Sequence, residues 1–337
     1  MADHETWRAR ARQIADETLF PAALDVDRGL RTPRASLDLL ADQGFYGLAG
    51  PPELGGVGLG GYDVLADVAA TLAGGCLATT FVGLQHIGPV MAVAKSPSAQ
   101  IRDTWLAPLC RGERRAGIAL AGLRPGPSQV HLRTAPGGFL VRGETAWVTG
   151  WGLIDTLHLA ARDSEGLIHF LLLDAFESST LVVGPTQLMA AQASSTVTVR
   201  FDDHFVSADR LTDTQSYDEW ASSDSFGSSL NGFLALGVAD RCVRLLESDP
   251  LGQVLAEIRM ELLTAQDAEI PTARSRASLL AVRAATALLA QTGSGSVLLS
   301  HHAQRLYREA GFLLVFGSRP AIKRELLAQL LVPAELN

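Results

Sequence analysis

The stretch ETAWVTGWGLID (144–155) sets an indole, Trp147, a hydroxyl, Thr149, and two bare backbone positions, Gly150 and Gly152, in close succession. A packed β-core can use the indole. It has less use for the glycines, which weaken strands and serve best where something must approach the backbone closely. A second candidate is His86 in LQHIG (84–88). A histidine titrating near neutral pH can donate a hydrogen bond or shuttle a proton, and it can also cap a buried helix. A third is ALLAQTGSGSV (287–297), where Gln291, Gly293 and Gly295 close a helical stretch. Helix-end glycines with open amides suit a phosphate, and a plain glycine-rich helix stop reads the same way.

The remaining reactive side chains are less informative. Cys76, Cys110 and Cys242 are odd in number, far apart and without metal spacing, which predicts reduced core thiols in a cytoplasmic protein. His131, His158, His169 and His204 fall in strand-like or loop segments with no metal pattern, and His301 and His302 sit at a helix start, expected exposed. Arg124 and Arg319 are candidate anion contacts, with surface arginine as the competing reading.

The elements that must position these residues follow from length and periodicity. A chain of 337 residues carries a prior of about two domains and ample mass for a core. The net charge of −8 comes with no dense Lys/Arg run, which argues against nucleic acid and anionic membrane as partners. The charged N-terminus has no apolar segment of the secretory kind, and the longest apolar runs are interrupted before membrane-spanning length, so neither a signal nor a span is expected. Helical spacing governs residues 5–25, 63–80 and 82–95, with a short amphipathic helix before Gly112. From about residue 117 to 203 the texture changes to about seven short β-type segments separated by turn residues. Long Leu/Ala/Arg-rich helices are expected at 225–248, 251–267, 272–292 and 297–314, with a last one from Pro320. The expectation is an α+β multidomain protein: a helical domain over 1–116, a β-barrel or sandwich over 117–212 and a C-terminal helix bundle over 213–337.

On these residues the chain resembles the acyl-CoA dehydrogenase family over nearly its whole length. GFYGLAGPPELGG (44–56) is similar to the family's first-domain loop. WLAPLCRGERRAGIALAG (105–122) is similar to its passage into the first β-strand, and TAWVTGWGLID (145–155) to its flavin-facing segment. VRFDDHFVSADRLT (199–212) resembles the exit from the β domain, and RLYREAGFLLVFGSRPAIKRELL (305–327) the final helices. The resemblance implies FAD held between the β domain and the C-terminal helices, an acyl-CoA substrate, and a homo-oligomer, dimer or tetramer. Under it, Trp147 is the wall of the flavin ring and Thr149 the hydroxyl near its N5, with Gly150 and Gly152 giving access. Ala121 and Gly122 fall in the turn that contacts flavin, and Gln291, Gly293 and Gly295 in the turn that meets the FAD of a neighbouring subunit.

The chain also departs from the family pattern. Gly317 stands where the catalytic glutamate usually follows a tyrosine, and Gly227 at the family's other base location, where Asp224 is the nearest acid and a candidate helix cap. Ala121 replaces a threonine, and no Arg-x-x-Phe-Gly element is recognisable in the short C-terminal domain. His86 occupies a helix that faces the flavin in family members, and monooxygenases of this fold use a histidine in a similar place. Three functions therefore remain open: an FAD-dependent acyl-CoA dehydrogenase acting at Cα–Cβ, a flavin monooxygenase or oxidase, and a non-catalytic subunit pairing with a catalytic homologue.

Overall fold

A computed structural model describes residues 4–29, 33–123, 129–222 and 225–331. Arg124 and Asp224 lie outside the described residues. The chain opens with α1 (His4–Ile14), a π-helical turn (Ala15–Leu19) and α2 (Phe20–Asp27), one continuous helical run that buries Trp7, Ala11, Ile14 and Leu19 on one side. After α3 (Arg34–Asp42) come α4 (Tyr62–Gly75), α5 (Leu77–Gln85), α6 (Ile87–Lys95) and α7 (Ala99–Cys110). Ser98 caps α7 by accepting from the amide of Ile101 at 3.3 Å, satisfying an otherwise orphan donor.

The helix expected over 63–80 ends earlier, because Cys76 is extended (φ −148°) and separates α4 from α5. The apolar stretch Leu77–Lys95 does reach membrane-spanning length, contrary to the expectation, but it divides at His86 into two nine-residue helices and is more than half buried in the protein.

Among the described residues eight strands follow, seven of them between Ala116 and Ser207 and the last beyond the expected segment: β1 (Ala116–Ala119), β2 (Gln129–Ala135), β3 (Gly138–Val148), β4 (Thr156–Arg162), β5 (Ile168–Asp174), β6 (Leu181–Pro185), β7 (Val197–Ser207) and β8 (Leu211–Gln215). They form one mixed sheet in the order β6-β7-β3-β2-β4-β5-β8, with β1 parallel to β4. Strands β2 and β4 meet through a single residue pair, His131 and Arg162. The sheet is thus two lobes with a narrow joint. Their inward side chains, Val141, Val199 and Phe201 from one lobe and Leu157, Leu159 and Leu171 from the other, share one core, the sandwich arrangement expected of alternating strands.

The C-terminal helices are α8 (Tyr217–Ser222), α9 (Ser225–Leu246), α10 (Asp249–Thr264), α11 (Ile270–Thr292), α12 (His302–Val315) and α13 (Pro320–Leu330). The segment after α11 is a 3₁₀ turn, Gly293–Val297, so α12 starts at His302 and not at 297. The two helical regions share a single core running from Trp7 to Leu313. Helices α4 and α9 cross at backbone distance: a Cβ on Gly237 would strike the carbonyl of Ala70, and one on Gly74 would lie 2.6 Å from the carbonyl oxygen of Gly237. Glycine is required at this crossing because nothing larger fits.

Candidate functional site

Strict alternation from the buried Thr145 would turn Trp147 into the sandwich. The pairing with β7 prevents it. Thr145 faces Val199 and Val148 faces Val197, so β3 carries one more residue than β7 across this interval. That is a β-bulge, and it re-aims a side chain at the cost of local backbone distortion. Trp147 takes up the distortion with φ +64°, a left-handed conformation unusual for a bulky residue. Val148 is then buried instead, and the indole of Trp147 stands 60% exposed. The packed-core reading of this tryptophan is excluded. A large apolar ring held outward by a strained backbone is a feature that a flat ligand can use.

Thr149 and Gly150 correct the expectation of a free hydroxyl and open backbone beside it. Thr149 is buried, and its hydroxyl pairs with that of Thr196 at 3.1 Å, which in turn pairs with Ser194 at 2.9 Å. The Gly150 amide donates to the Ser194 carbonyl at 2.8 Å. Gly150 has φ +91°, and a Cβ there would lie 2.9 Å from Ile154 and 3.2 Å from Val82. Its smallness serves packing of the strand end against α5. Both residues staple the 192–196 turn to β3 and so position Trp147 from behind. Gly152, by contrast, has open space around it (φ +75°), and its carbonyl accepts from Arg34.

For His86 the structure favours the buried-helix reading over the reactive one. It is buried, and both ring nitrogens are taken by backbone: Nδ1 accepts from the Ala116 amide at 2.9 Å, which leaves Nε2 protonated and donating to the Leu109 carbonyl at 3.0 Å. Burial pushes its pKa down to about 4. A neutral imidazole with no free nitrogen joins the α5–α6 corner to the end of α7 and the start of β1. It has no proton to offer a ligand.

The turn that carries Gly317 is brought against α5 and α9. Phe316 packs edge-on against Phe81 of α5 with ring centroids 4.6 Å apart, and Phe312 lies against the same ring at 5.6 Å. Gly317 has φ +61°, and a Cβ on it would lie 2.6 Å from Nδ2 of Asn231 in α9. A side-chain amide therefore fills the place where a side chain at 317 would begin. Behind the turn, Arg274 of α11 is buried and donates to the carbonyls of Leu313 and Phe316 at 3.1 and 3.2 Å, and to the hydroxyl of Ser278. Burial lowers its pKa to about 10, so it stays charged at neutral pH, and among the described residues no carboxylate pairs with it. Gly227 has open space where its side chain would be. Neither base position of the family holds a carboxylate. Asn231, Arg274 and Phe81 lie far apart in sequence and in no motif, so only the folded chain identifies them as neighbours of the turn.

The remaining expected residues are dispersed. Ala121 and Gly122 form a short 3₁₀ turn after β1, Gly122 buried and Ala121 half-buried. Gln291 and Gly293 are exposed at the end of α11, and Gly295 is half-buried in the following turn, beside an apolar surface in which Val297 is 74% exposed. Arg319 donates to the Gly317 carbonyl at 3.2 Å and so belongs to the turn itself. His158 is buried against Phe170 and bonds Thr212 at 2.9 Å. His302 is not a free surface histidine, since it stacks on Phe20 at 4.0 Å. The three cysteines are free and buried, as expected. An apolar cavity of about 50 Å³ between α4 and α5, lined by residues such as Leu65, Val68, Leu72 and Leu84, has room for a few waters and is too small for a flavin or a thioester.

Comparison with solved structures defines the class. Butyryl-CoA dehydrogenase from Megasphaera elsdenii superposes with a TM-score of 0.81 over 98% of this chain and 99% of that one. At 16% identity the likeness is one of fold, and the fold is that of the acyl-CoA dehydrogenases. Residues 1–113 match the acyl-CoA dehydrogenase N-terminal domain. Among curated relatives, the short-chain specific acyl-CoA dehydrogenase of Bos taurus mitochondria is 26% identical over 62% of this chain and 52% of its own length. Benzylmalonyl-CoA dehydrogenase of Aromatoleum aromaticum is 28% identical over 67% of this chain and 62% of its own. The chain thus spans about half the length of the bovine relative. In its N-terminal domain and in its fold the chain is similar to the acyl-CoA dehydrogenases.

Proposed function

We propose that the chain is an FAD-dependent oxidoreductase of the acyl-CoA dehydrogenase kind, acting on the Cα–Cβ bond of an acyl-CoA thioester. The observation that carries this reading is Trp147, an indole pushed out of its strand by a bulge and held 60% exposed. A flavin ring fits it, because it needs a flat apolar wall on one face, and the buried Thr149–Thr196–Ser194 chain keeps that wall from moving. Bound FAD would supply a two-electron acceptor. The chain's own residues would do the rest. Phe81, Phe312 and Phe316 form an aromatic cluster that excludes water beside the turn, and Asn231 presents a neutral polar group there. An acyl thioester held between α5, α9 and the 315–319 turn would meet apolar rings and an amide.

A second reading draws support from Gly317 and Gly227. With no carboxylate at either place, this chain would complete its chemistry only in a mixed oligomer, beside a homologue that carries the base. The monooxygenase alternative drew on His86 and on the missing glutamate, and it loses the first of these supports. A homodimer or tetramer in the cytoplasm is part of the first reading.

The purified protein should show flavin absorbance, and Trp147→Ala should lose most of it during gel filtration while keeping the wild-type fold. Anaerobic addition of butyryl-CoA should bleach the flavin under the first reading. Retained flavin that no acyl-CoA bleaches, with a larger homologue co-purifying, would favour the second. A protein that neither retains nor takes up FAD would end both.

A further inference from the structure

The turn after α12 combines three features that no family motif assigns. The Asn231 amide is half-buried, has no hydrogen-bond partner among the described residues, and lies against Gly317. Arg274 packs on the adjacent Gly232, where a Cβ would lie 3.1 Å from its Cδ, and donates to the Phe316 carbonyl one residue before Gly317. Its charge has no carboxylate partner among the described residues. The neighbouring side chains are the uncharged rings of Phe81, Phe312 and Phe316, and a second cation, Arg319, donates to the Gly317 carbonyl at 3.2 Å.

Elementary electrostatics gives the consequence. A buried cation without a counter-ion raises the potential around it, and that potential acts at full strength in surroundings with little water. An unpaired amide beside such a cation completes its hydrogen bonds on a group brought against it. Asn231 offers two N–H donors, and the positive field of Arg274 favours an incoming anion. A carboxylate in the turn would cancel that field. Glycine at 317 leaves it intact, and the Asn231 amide occupies the room.

Resting on the acyl-thioester reading above, we propose that the face formed by α9 and the 315–319 turn selects an acyl group bearing a carboxylate, with Asn231 as the specificity-determining residue that hydrogen-bonds it and Arg274 as the source of the favourable field. The preferred ligand class is then a short dicarboxylic monothioester, not a plain fatty acyl thioester of the same length.

Calorimetric titration of the full FAD-loaded chain with succinyl-CoA and butyryl-CoA tests this, since both acyl groups have four carbons and only one carries the charge. The wild type should bind succinyl-CoA at least ten-fold more tightly. In Asn231→Leu the ratio of the two affinities should fall to about two-fold or less. Asn231→Asp, nearly the same shape with the opposite field, should reverse the order. Equal affinity of the wild type for both thioesters overturns the proposal and leaves the acyl-thioester reading standing, as does a preference that survives in both variants. If neither thioester binds the folded, flavin-loaded chain, the acyl-thioester reading falls and this proposal falls with it.

Discussion

Replacing His86 by Gln should change how stability depends on pH as well as stability itself, and the two effects are separable. His86 is held neutral between two backbone groups, and burial brings its pKa from 6.5 to about 4. In the unfolded chain the imidazole takes up a proton as pH falls below about 6.5, whereas the folded chain resists until about pH 4. The unfolded state then binds more protons, so stability is lost as pH falls through this window and is fully present above it. A displacement of about 2.5 units corresponds to about 3 kcal/mol at the acid limit, of which about 2 kcal/mol is already lost between pH 7.5 and 5. Glutamine keeps an N–H for the Leu109 carbonyl and does not titrate. It carries a fixed cost of about 1–3 kcal/mol for an imperfect bond at Ala116, the same at every pH. Urea unfolding of both proteins at pH 7.5, 6 and 5 separates the two effects. The wild type should lose about 2 kcal/mol more than His86→Gln over that range. Parallel losses would refute the neutral-strut assignment and reopen a chemical role for this histidine.

Two further substitutions probe the scaffold behind the site. Gly150→Ala forces a side chain into a left-handed position against Ile154 and Val82, and should lower stability by about 1–3 kcal/mol, read as a fall in unfolding midpoint. Arg305→Met strands the buried Glu309, which accepts two bonds from that guanidinium at 2.7 and 2.9 Å, and should cost about 3–5 kcal/mol. Adding Glu309→Leu should recover most of that loss, because the penalty comes from the unpaired charge, and a double variant no more stable than the single would contradict this.

The helix–β–helix order was legible because the apolar period switches from helical to alternating near residue 117 and back near 217. The motif at 144–155 was legible as a ligand-facing segment, yet its geometry was not. Whether Trp147 points in or out depends on one extra residue relative to β7, a strand about fifty residues later, and no local signal encodes that register. Likewise His86 could be read as a reactive imidazole or as the cap of a buried helix, because the two backbone groups that decide between them lie 23 and 30 residues downstream. The missing glutamate at Gly317 was visible in the sequence. The amide that fills its place was not, because Asn231 sits in a helix whose rotation is set by the glycine crossing with α4.

That crossing also bears on how the chain folds during synthesis. The helical core runs from Trp7 to Leu313 and is interrupted in sequence by the whole β block, whose strands bring most of their own core. The face of α4 that closes on Gly237 has no partner until more than 150 further residues have been made. The β sandwich can therefore condense while the first helices wait with apolar surface open, and the helical core closes only once α9 and the helices after it have been made. A nascent chain stalled before α9 would present its sandwich folded and its N-terminal helices as the natural client of a chaperone.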